Sequence, residues 1–259
     1  MNLVRDNFET QNTLSQCRST LYPAHRVLAA FPFFNEEDKL RQMAPRLREG
    51  YVDAFIGVND GSTDRGSEIL RQHGINVIDQ PHRGVGACIK QAVKHARENG
   101  YDILVIMAGN DKDDPAQIPL LLRPIIEDRT DYVQGSRFLS GGSSPNLPVF
   151  RFLAIKVLSF LFKISGWREC TDLTNGFRAY RVSLFDDPRI NIWQSWLDGY
   201  DFEYYLHWKV VNCGYRLCEV PVTKTYPRNK NVPYTKIRPF IGWWQMLRPF
   251  VLLSLGVRK

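Results

Sequence analysis

Short apolar runs recur through the first half of the chain, each ended by turn-forming residues and followed by a segment with helical spacing. Arg26 to Phe31, Ala54 to Val58, Asn76 to Ile78, Ile103 to Met107 and Tyr132 to Gly135 read as strands. Between them the spacing predicts helices from about Glu36, from about Arg65, over Val85 to Glu98 and after Pro115. Strands alternating with helices predict an α/β fold on a mainly parallel sheet. Beyond Phe138 the alternation stops. A Gly/Ser/Pro loop from Ser140 to Pro148 reads as a boundary or a mobile lid. The segment Phe150 to Trp167 then sets Phe152, Ile155, Leu158, Ser159 and Phe162 close to one helical face, interrupted by Arg151, Lys156 and Lys163. It is too short and too charged to span a bilayer, and its pattern suits either an interfacial helix or one packed on the sheet. The predicted organisation is a polar arm over 1–25, one domain over 26–236 with the amphipathic helix at 150–167, and a basic, aromatic helix over 237–259.

Charge changes this picture at the C-terminal end. The chain of 259 residues carries a net charge of +7, yet no acidic residue follows Glu219. Eight cations do: Lys224, Arg228, Lys230, Lys236, Arg238, Arg248, Arg258 and Lys259. They are interleaved with Phe240, Trp243, Trp244, Phe250 and the run Val251-Leu252-Leu253. That mixture suits an anionic membrane surface better than a nucleic-acid groove, and no nucleic-acid reader motif is present. The chain shows neither an apolar stretch of membrane-spanning length nor a signal-peptide pattern, so a cytoplasmic protein, peripheral at the membrane, is expected. Five scattered cysteines, without metal-site spacing, read as reduced and structural.

The chemistry gathers where strands end. Asn59-Asp60-Gly61-Ser62 closes the run Ala54 to Val58, and Pro32-Phe33-Phe34-Asn35-Glu36 closes the first strand. In an open α/β sheet the carboxyl ends of the strands form the ligand crevice, so a carboxylate and an aromatic face at these tips suit a nucleoside. His82-Arg83-Gly84-Val85-Gly86 opens a helix with two glycines, and Ala108-Gly109-Asn110-Asp111-Lys112-Asp113-Asp114-Pro115 clusters polar groups at a third tip. Oxygen-rich clusters of the latter kind suit Mg²⁺ or Mn²⁺ on a diphosphate.

Taken in order, these motifs resemble glycosyltransferase family 2 of the GT-A fold, and most closely its dolichyl-phosphate mannosyltransferase-like, polyprenyl-phosphate branch. Pro32-x-Phe34-Asn35-Glu36 is similar to that family's Pro-x-Tyr-Asn-Glu, Asn59-Asp60-Gly61-Ser62 to Asp-Asp-Gly-Ser, and Gly135-Ser136-Arg137-Phe138 to Gly-Thr/Ser-Arg-Tyr/Phe. Asp172-Leu173-Thr174-Asn175-Gly176-Phe177-Arg178, Gly199-Tyr200-Asp201-Phe202 and Glu219-Val220-Pro221-Val222 resemble its later motifs. The resemblance implies an inverting transfer of a sugar from a UDP- or GDP-sugar to a polyprenyl or dolichyl phosphate. It implies that Pro32, Phe34, Glu36, Val58 and Asp60 meet the nucleoside, with Gly109, Asn110 and Lys112 beside the donor. Arg137, Arg228 and Lys236 would meet the donor diphosphate or the acceptor phosphate, and Arg151 the acceptor phosphate. A lipid phosphate is already anionic and needs no strong base; a sugar hydroxyl would need one, for which Asp201 is the first candidate and Glu203 the second. Asp172 and Arg178 read as a buried ion pair or as acceptor-side residues.

One motif departs from the family. Where it has Asp-x-Asp and a further ligand two residues later, this chain has Ala108, Asn110 and Lys112. A divalent metal could remain on Asn110 with Asp111 or Asp113, or Lys112 could supply the metal's charge, or a non-catalytic binding protein could be left.

Overall fold

The structure is a computed structural model that describes residues 22–47, 50–164, 170–228 and 241–257. Most of the expected N-terminal arm and the candidate Lys236 lie outside the described residues.

Among the described residues seven strands form one sheet. The first four are β1 (Val27–Phe33), β2 (Ala54–Asn59), β3 (Asn76–Asp79) and β4 (Ile103–Ile106). After them come β5 (Tyr132–Ser136), β6 (Arg178–Arg181) and β7 (Leu217–Pro221). Their order across the sheet is β3-β2-β1-β4-β6-β5-β7. All neighbours are parallel except β6, which runs antiparallel between β4 and β5. The helices between the first strands are α1 (Glu37–Met43), α2 (Gly66–Gln72), α3 (Val85–Glu98) and α4 (Ile118–Ile126). Later in the chain come α5 (Val149–Ile164), α6 (Asp201–Asn212) and α7 (Ile241–Ser254).

Strand alternation sorts the core into two layers. From β1, Leu28 and Ala30 join Ile89, Val93, Phe202 and Leu206 of α3 and α6 on one face. Val27, Ala29 and Phe31 join Leu40, Leu121 and Ile125 of α1 and α4 on the other. With helices on both faces, ligands are left the edge where the strands end.

One expectation needs correction. The loop from Ser140 to Pro148 is not a free lid, because its backbone is laced to the segment after β7. Ser143 N donates to Val222 O at 3.1 Å, Lys224 N to Ser143 O at 3.0 Å and Tyr226 N to Pro145 O at 3.0 Å. On α5 the face that includes Ile155 and Leu158 turns inward, where Ile155 is buried. The opposite face, with Phe150, Leu153, Val157 and Phe160, is a ridge of exposed apolar side chains.

The core also carries an acid-sensitive group. His207 of α6 is buried, edge-on to Tyr132 with ring centroids 5.8 Å apart. Burial, together with the nearby Arg178 guanidinium, pushes its pKa from 6.5 down to about 3. The unfolded chain therefore binds a proton between these values and the folded chain does not, so this group's share of stability is lost as pH falls below 6.5. Urea unfolding of the His207→Gln variant is expected to show a pH dependence shallower than the parent's by up to about 1.4 kcal/mol per pH unit over that window. Parallel curves would mean that the ring protonates in place.

Candidate functional site

The loop after β2 is built around Asp60, which is 4% exposed. Its Oδ1 accepts from Gln80 Nε2 at 2.9 Å and from the backbone N of Arg83 at 2.9 Å. Its Oδ2 accepts from Gly84 N at 2.9 Å and lies 2.8 Å from His82 Nδ1. The carboxylate thus folds the 80–84 segment against the tip of β2. Gly84 takes φ +117°, and a side chain there would meet Asp198 O at 2.6 Å, so the turn requires glycine. His82 in turn stacks on Phe34, with centroids 4.3 Å apart and planes at 25°. Val58 lies fully buried beneath these loops.

Beside this edge opens a cavity of about 820 Å³ with two kinds of wall. One is polar and comes from the strand tips: Glu36, Lys39, Asn110, Lys112 and Lys224. The other is apolar and comes from α5 and α7: Phe150, Ala154, Ile155, Val157, Met246 and Leu247. Arg151 of α5 lines the cavity too, with its Cζ 5.6 Å from the centroid of the Tyr226 ring.

The polar wall exists because two distant segments pair. Asp113 and Lys224 form an isolated antiparallel bridge, and Thr225 N donates to Lys112 O at 3.0 Å. Lys224 Nζ donates to Asp113 Oδ1 at 2.6 Å, while Ala108 N donates to Asp113 Oδ2 at 3.1 Å. Lys112 is buried, and its pKa is pushed down to about 7, first by burial and then by the charges of Lys224, Arg151 and Lys39. Lys112 Nζ and Arg151 Cζ lie 5.5 and 5.6 Å from the centroid of one ring, that of Tyr226. The ring is fixed from behind, since Arg137 Nη1 donates to its hydroxyl.

Arg137 belongs to that backing rather than to the cavity wall, contrary to expectation. It is buried, with Nε donating to Asp172 Oδ2 and Nη2 to Asp172 Oδ1, both at 2.6 Å, and Nη2 also to Thr174 Oγ1 at 2.8 Å. Burial opposes its charge, yet the Asp172 carboxylate holds its pKa above the usual arginine value. Glu219 locks the same region by accepting from Thr171 N at 2.8 Å and Asp172 N at 3.1 Å. The buried pair is therefore Asp172 with Arg137, not with Arg178. Arg178 instead donates to the carbonyls of Asn175, Glu203 and Leu173.

Asp201 is also misplaced by the sequence reading. It is fully buried and its oxygens accept from Arg248 Nε at 2.8 Å and Nη2 at 2.7 Å. Burial raises its pKa even against the pull of Arg248. Glu203, about 200° further round the helix, faces the cavity instead. Asp111 turns to an ion pair with Arg46 and does not line the cavity, whereas Asn110 does. Gly109 is pressed so close to β1 that a side chain would meet Pro32 O at 2.9 Å. Pro32 and Glu36 line the cavity; Phe34, Asp60 and Arg228 do not, and Arg228 is exposed. Lys224, counted only among the C-terminal cations, and Tyr226 were not read as site residues, although a signal existed. Val222, Lys224 and Tyr226 are buried at a spacing of two, so a lysine stands on the inward face of an extended segment.

Residues 29–187 match the sequence model of the family described as Glycosyl transferase family 2. The chain is 27% identical over 215 residues to a polyprenol monophosphomannose synthase of Mycolicibacterium smegmatis, covering 80% of each chain. It is 29% identical over 206 residues to an undecaprenyl-phosphate mannosyltransferase of Micrococcus luteus, covering 76% of this chain and 83% of the other. The fold is similar to that of a glucosyl-3-phosphoglycerate synthase of Mycobacterium tuberculosis, solved with Mn²⁺, UDP and glucosyl-3-phosphoglycerate. The two share 16% identity and a TM-score of 0.67, over 93% of this chain and 84% of that one.

Proposed function

The chain belongs to glycosyl transferase family 2, and on that footing we propose that it moves a sugar from a nucleotide-sugar donor to a polyprenyl phosphate, with inversion at the anomeric carbon. The observation that carries this reading is the cavity's double lining: cations at the strand tips and apolar side chains from α5 and α7 in one space. A polyprenyl phosphate has the same two halves. The nucleoside lies over the tips of β1 and β2, near Pro32, Phe34 and Glu36, on a loop that Asp60 holds in shape. Arg151 of α5, which lines the same cavity, takes the acceptor phosphate. An oxygen of that phosphate forms the new bond to the anomeric carbon while the bond to the donor diphosphate breaks. The electron pair stays on the departing diphosphate, where preorganised cations stabilise it. The attacking oxygen carries its own charge, so no side chain has to remove a proton.

The ridge of Phe150, Leu153, Val157 and Phe160 brings this cavity to a bilayer surface, as a peripheral contact. Among the described residues no helix is long and apolar enough to cross a membrane. A hydroxyl acceptor is the second reading, favoured only by Glu203 in the cavity, where it could serve as base.

The test is incubation of the protein with radiolabelled UDP- and GDP-sugars and vesicles containing undecaprenyl or dolichyl phosphate. Label is expected in an organic-soluble, mild-acid-labile product, as a glycosyl phosphate would be. Label confined to an acid-stable glycoside would favour the hydroxyl acceptor, and no transfer from any donor would defeat both readings.

A further inference from the structure

We propose that the donor diphosphate is held by a cluster of four cations, Lys39, Lys112, Arg151 and Lys224, in place of the divalent metal implied by this fold. The inference rests on the nucleotide-sugar reading and concerns how that site works.

The residues present do not fit a hard divalent ion, which wants six or more oxygens, several of them carboxylate. Where two carboxylates would be expected, the loop offers the methyl group of Ala108 and the neutral amide of Asn110. The nearby carboxylates are committed elsewhere: Asp113 to Lys224 and to Ala108 N, Asp111 to Arg46, and Glu36 to Lys39. Among the described residues no group of three or more His, Cys, Asp or Glu side chains could hold a metal. A metal in this loop would also face the Lys112 ammonium.

An anion reverses each of these objections. Four cations line one cavity, and Lys112 Nζ and Arg151 Cζ lie 5.5 and 5.6 Å from the centroid of the Tyr226 ring, whose hydroxyl accepts from Arg137. Lys39 and Lys224 hold the carboxylates of Glu36 and Asp113, and each ammonium keeps further N–H donors that, with those of Lys112 and Arg151, a diphosphate's oxygens accept. Asn110 supplies a second, independent sign of a ligand. Asn110 lines the same cavity and its Oδ1 has no hydrogen-bond partner among the described residues, so a small turn of its amide would offer a ribose or sugar hydroxyl an acceptor next to the diphosphate. The site therefore has donors for the phosphates and an acceptor for a hydroxyl. As the glycosidic bond breaks, charge gathers on the diphosphate, and fixed cations meet it without recruiting a metal from solution.

The test is calorimetric binding of UDP, GDP and inorganic pyrophosphate to the full chain, in EDTA and then in Mn²⁺ or Mg²⁺. Binding of one nucleotide is expected to change by less than about twofold between these conditions, and Lys112→Met to weaken it by about ten- to a hundredfold. Lys112→Arg should restore most of the loss, and thermal melting of both variants checks that they fold. Nucleotide binding that vanishes in EDTA and returns with Mn²⁺ would overturn the cation cluster but leave the glycosyltransferase reading standing. Pyrophosphate bound in EDTA with neither nucleotide bound would do the reverse. Binding of none of the three would overturn both.

Discussion

Replacing Arg137 by methionine is expected to cost about 3–5 kcal/mol of folding stability, because it strands the Asp172 carboxylate in the interior. The side chain of Asp172 is fully buried and that of Arg137 nearly so, and the guanidinium satisfies both carboxylate oxygens. Water cannot replace it without opening the joint between β5, the 170–174 segment and Tyr226. Against a typical total of about 5–15 kcal/mol, that loss is a large fraction, and the melting temperature should fall by about 10 °C. The double variant Arg137→Met with Asp172→Leu should lose less than the two single changes summed, since no charge is then left unpaired. Urea unfolding of the three variants measures this directly. Losses below about 1 kcal/mol for the single variants would mean that solvent reaches the pair. Activity should fall in the two variants that lack Arg137, which donates to the Tyr226 hydroxyl, since the centroid of the Tyr226 ring lies 5.5 and 5.6 Å from Lys112 Nζ and Arg151 Cζ.

The same pair shows what the sequence could and could not convey. The strands of the first half were legible because parallel strands covered on both faces must be apolar, and turn residues end them. β6 was not. It reads Arg178-Ala179-Tyr180-Arg181, and its first arginine is tolerated in the interior because three carbonyls receive it and the Glu203 carboxylate lies 3.8 Å away. α6 hid its period in a similar way, burying Asp201, His207 and Lys209 along with its apolar residues. At the site, the strand-tip loops could be named from their motifs, since tips are where such folds bind ligands. Ion-pair partners could not be named. Nothing local says that Asp172 chooses Arg137 over Arg178, or that Asp201 waits for Arg248 on another helix. The cation cluster was the hardest to foresee, because Lys224 reaches Lys112 through a bridge between segments 111 residues apart. The altered Asp-x-Asp motif announced a lost ligand set; the structure adds the cations that surround it.

A second large effect is expected where no fold contact is at stake. Leu153 and Phe160 are 56% and 61% exposed on the outer ridge of α5, so changing both to glutamate should leave thermal stability nearly unchanged. On the membrane reading, those side chains enter the acyl boundary beside the cavity mouth, where Phe150 and Val157 are shared between ridge and cavity. Losing two apolar anchors removes about 3 kcal/mol of transfer free energy, equivalent to about a hundredfold in vesicle partitioning, and the added charges deepen the loss on anionic lipid. Flotation with anionic vesicles should show the variant left in solution. Transfer to vesicle-embedded polyprenyl phosphate should drop by a similar factor, while transfer to a short-chain, water-soluble prenyl phosphate should persist, since neither residue lines the cavity. Equal losses on both acceptors would place the ridge in catalysis rather than docking, and unchanged flotation would remove α5 from the membrane contact altogether. The contrast with Arg137 is physical: one side chain is buried where its charge must be matched, and the other two are apolar where water alone has no use for them.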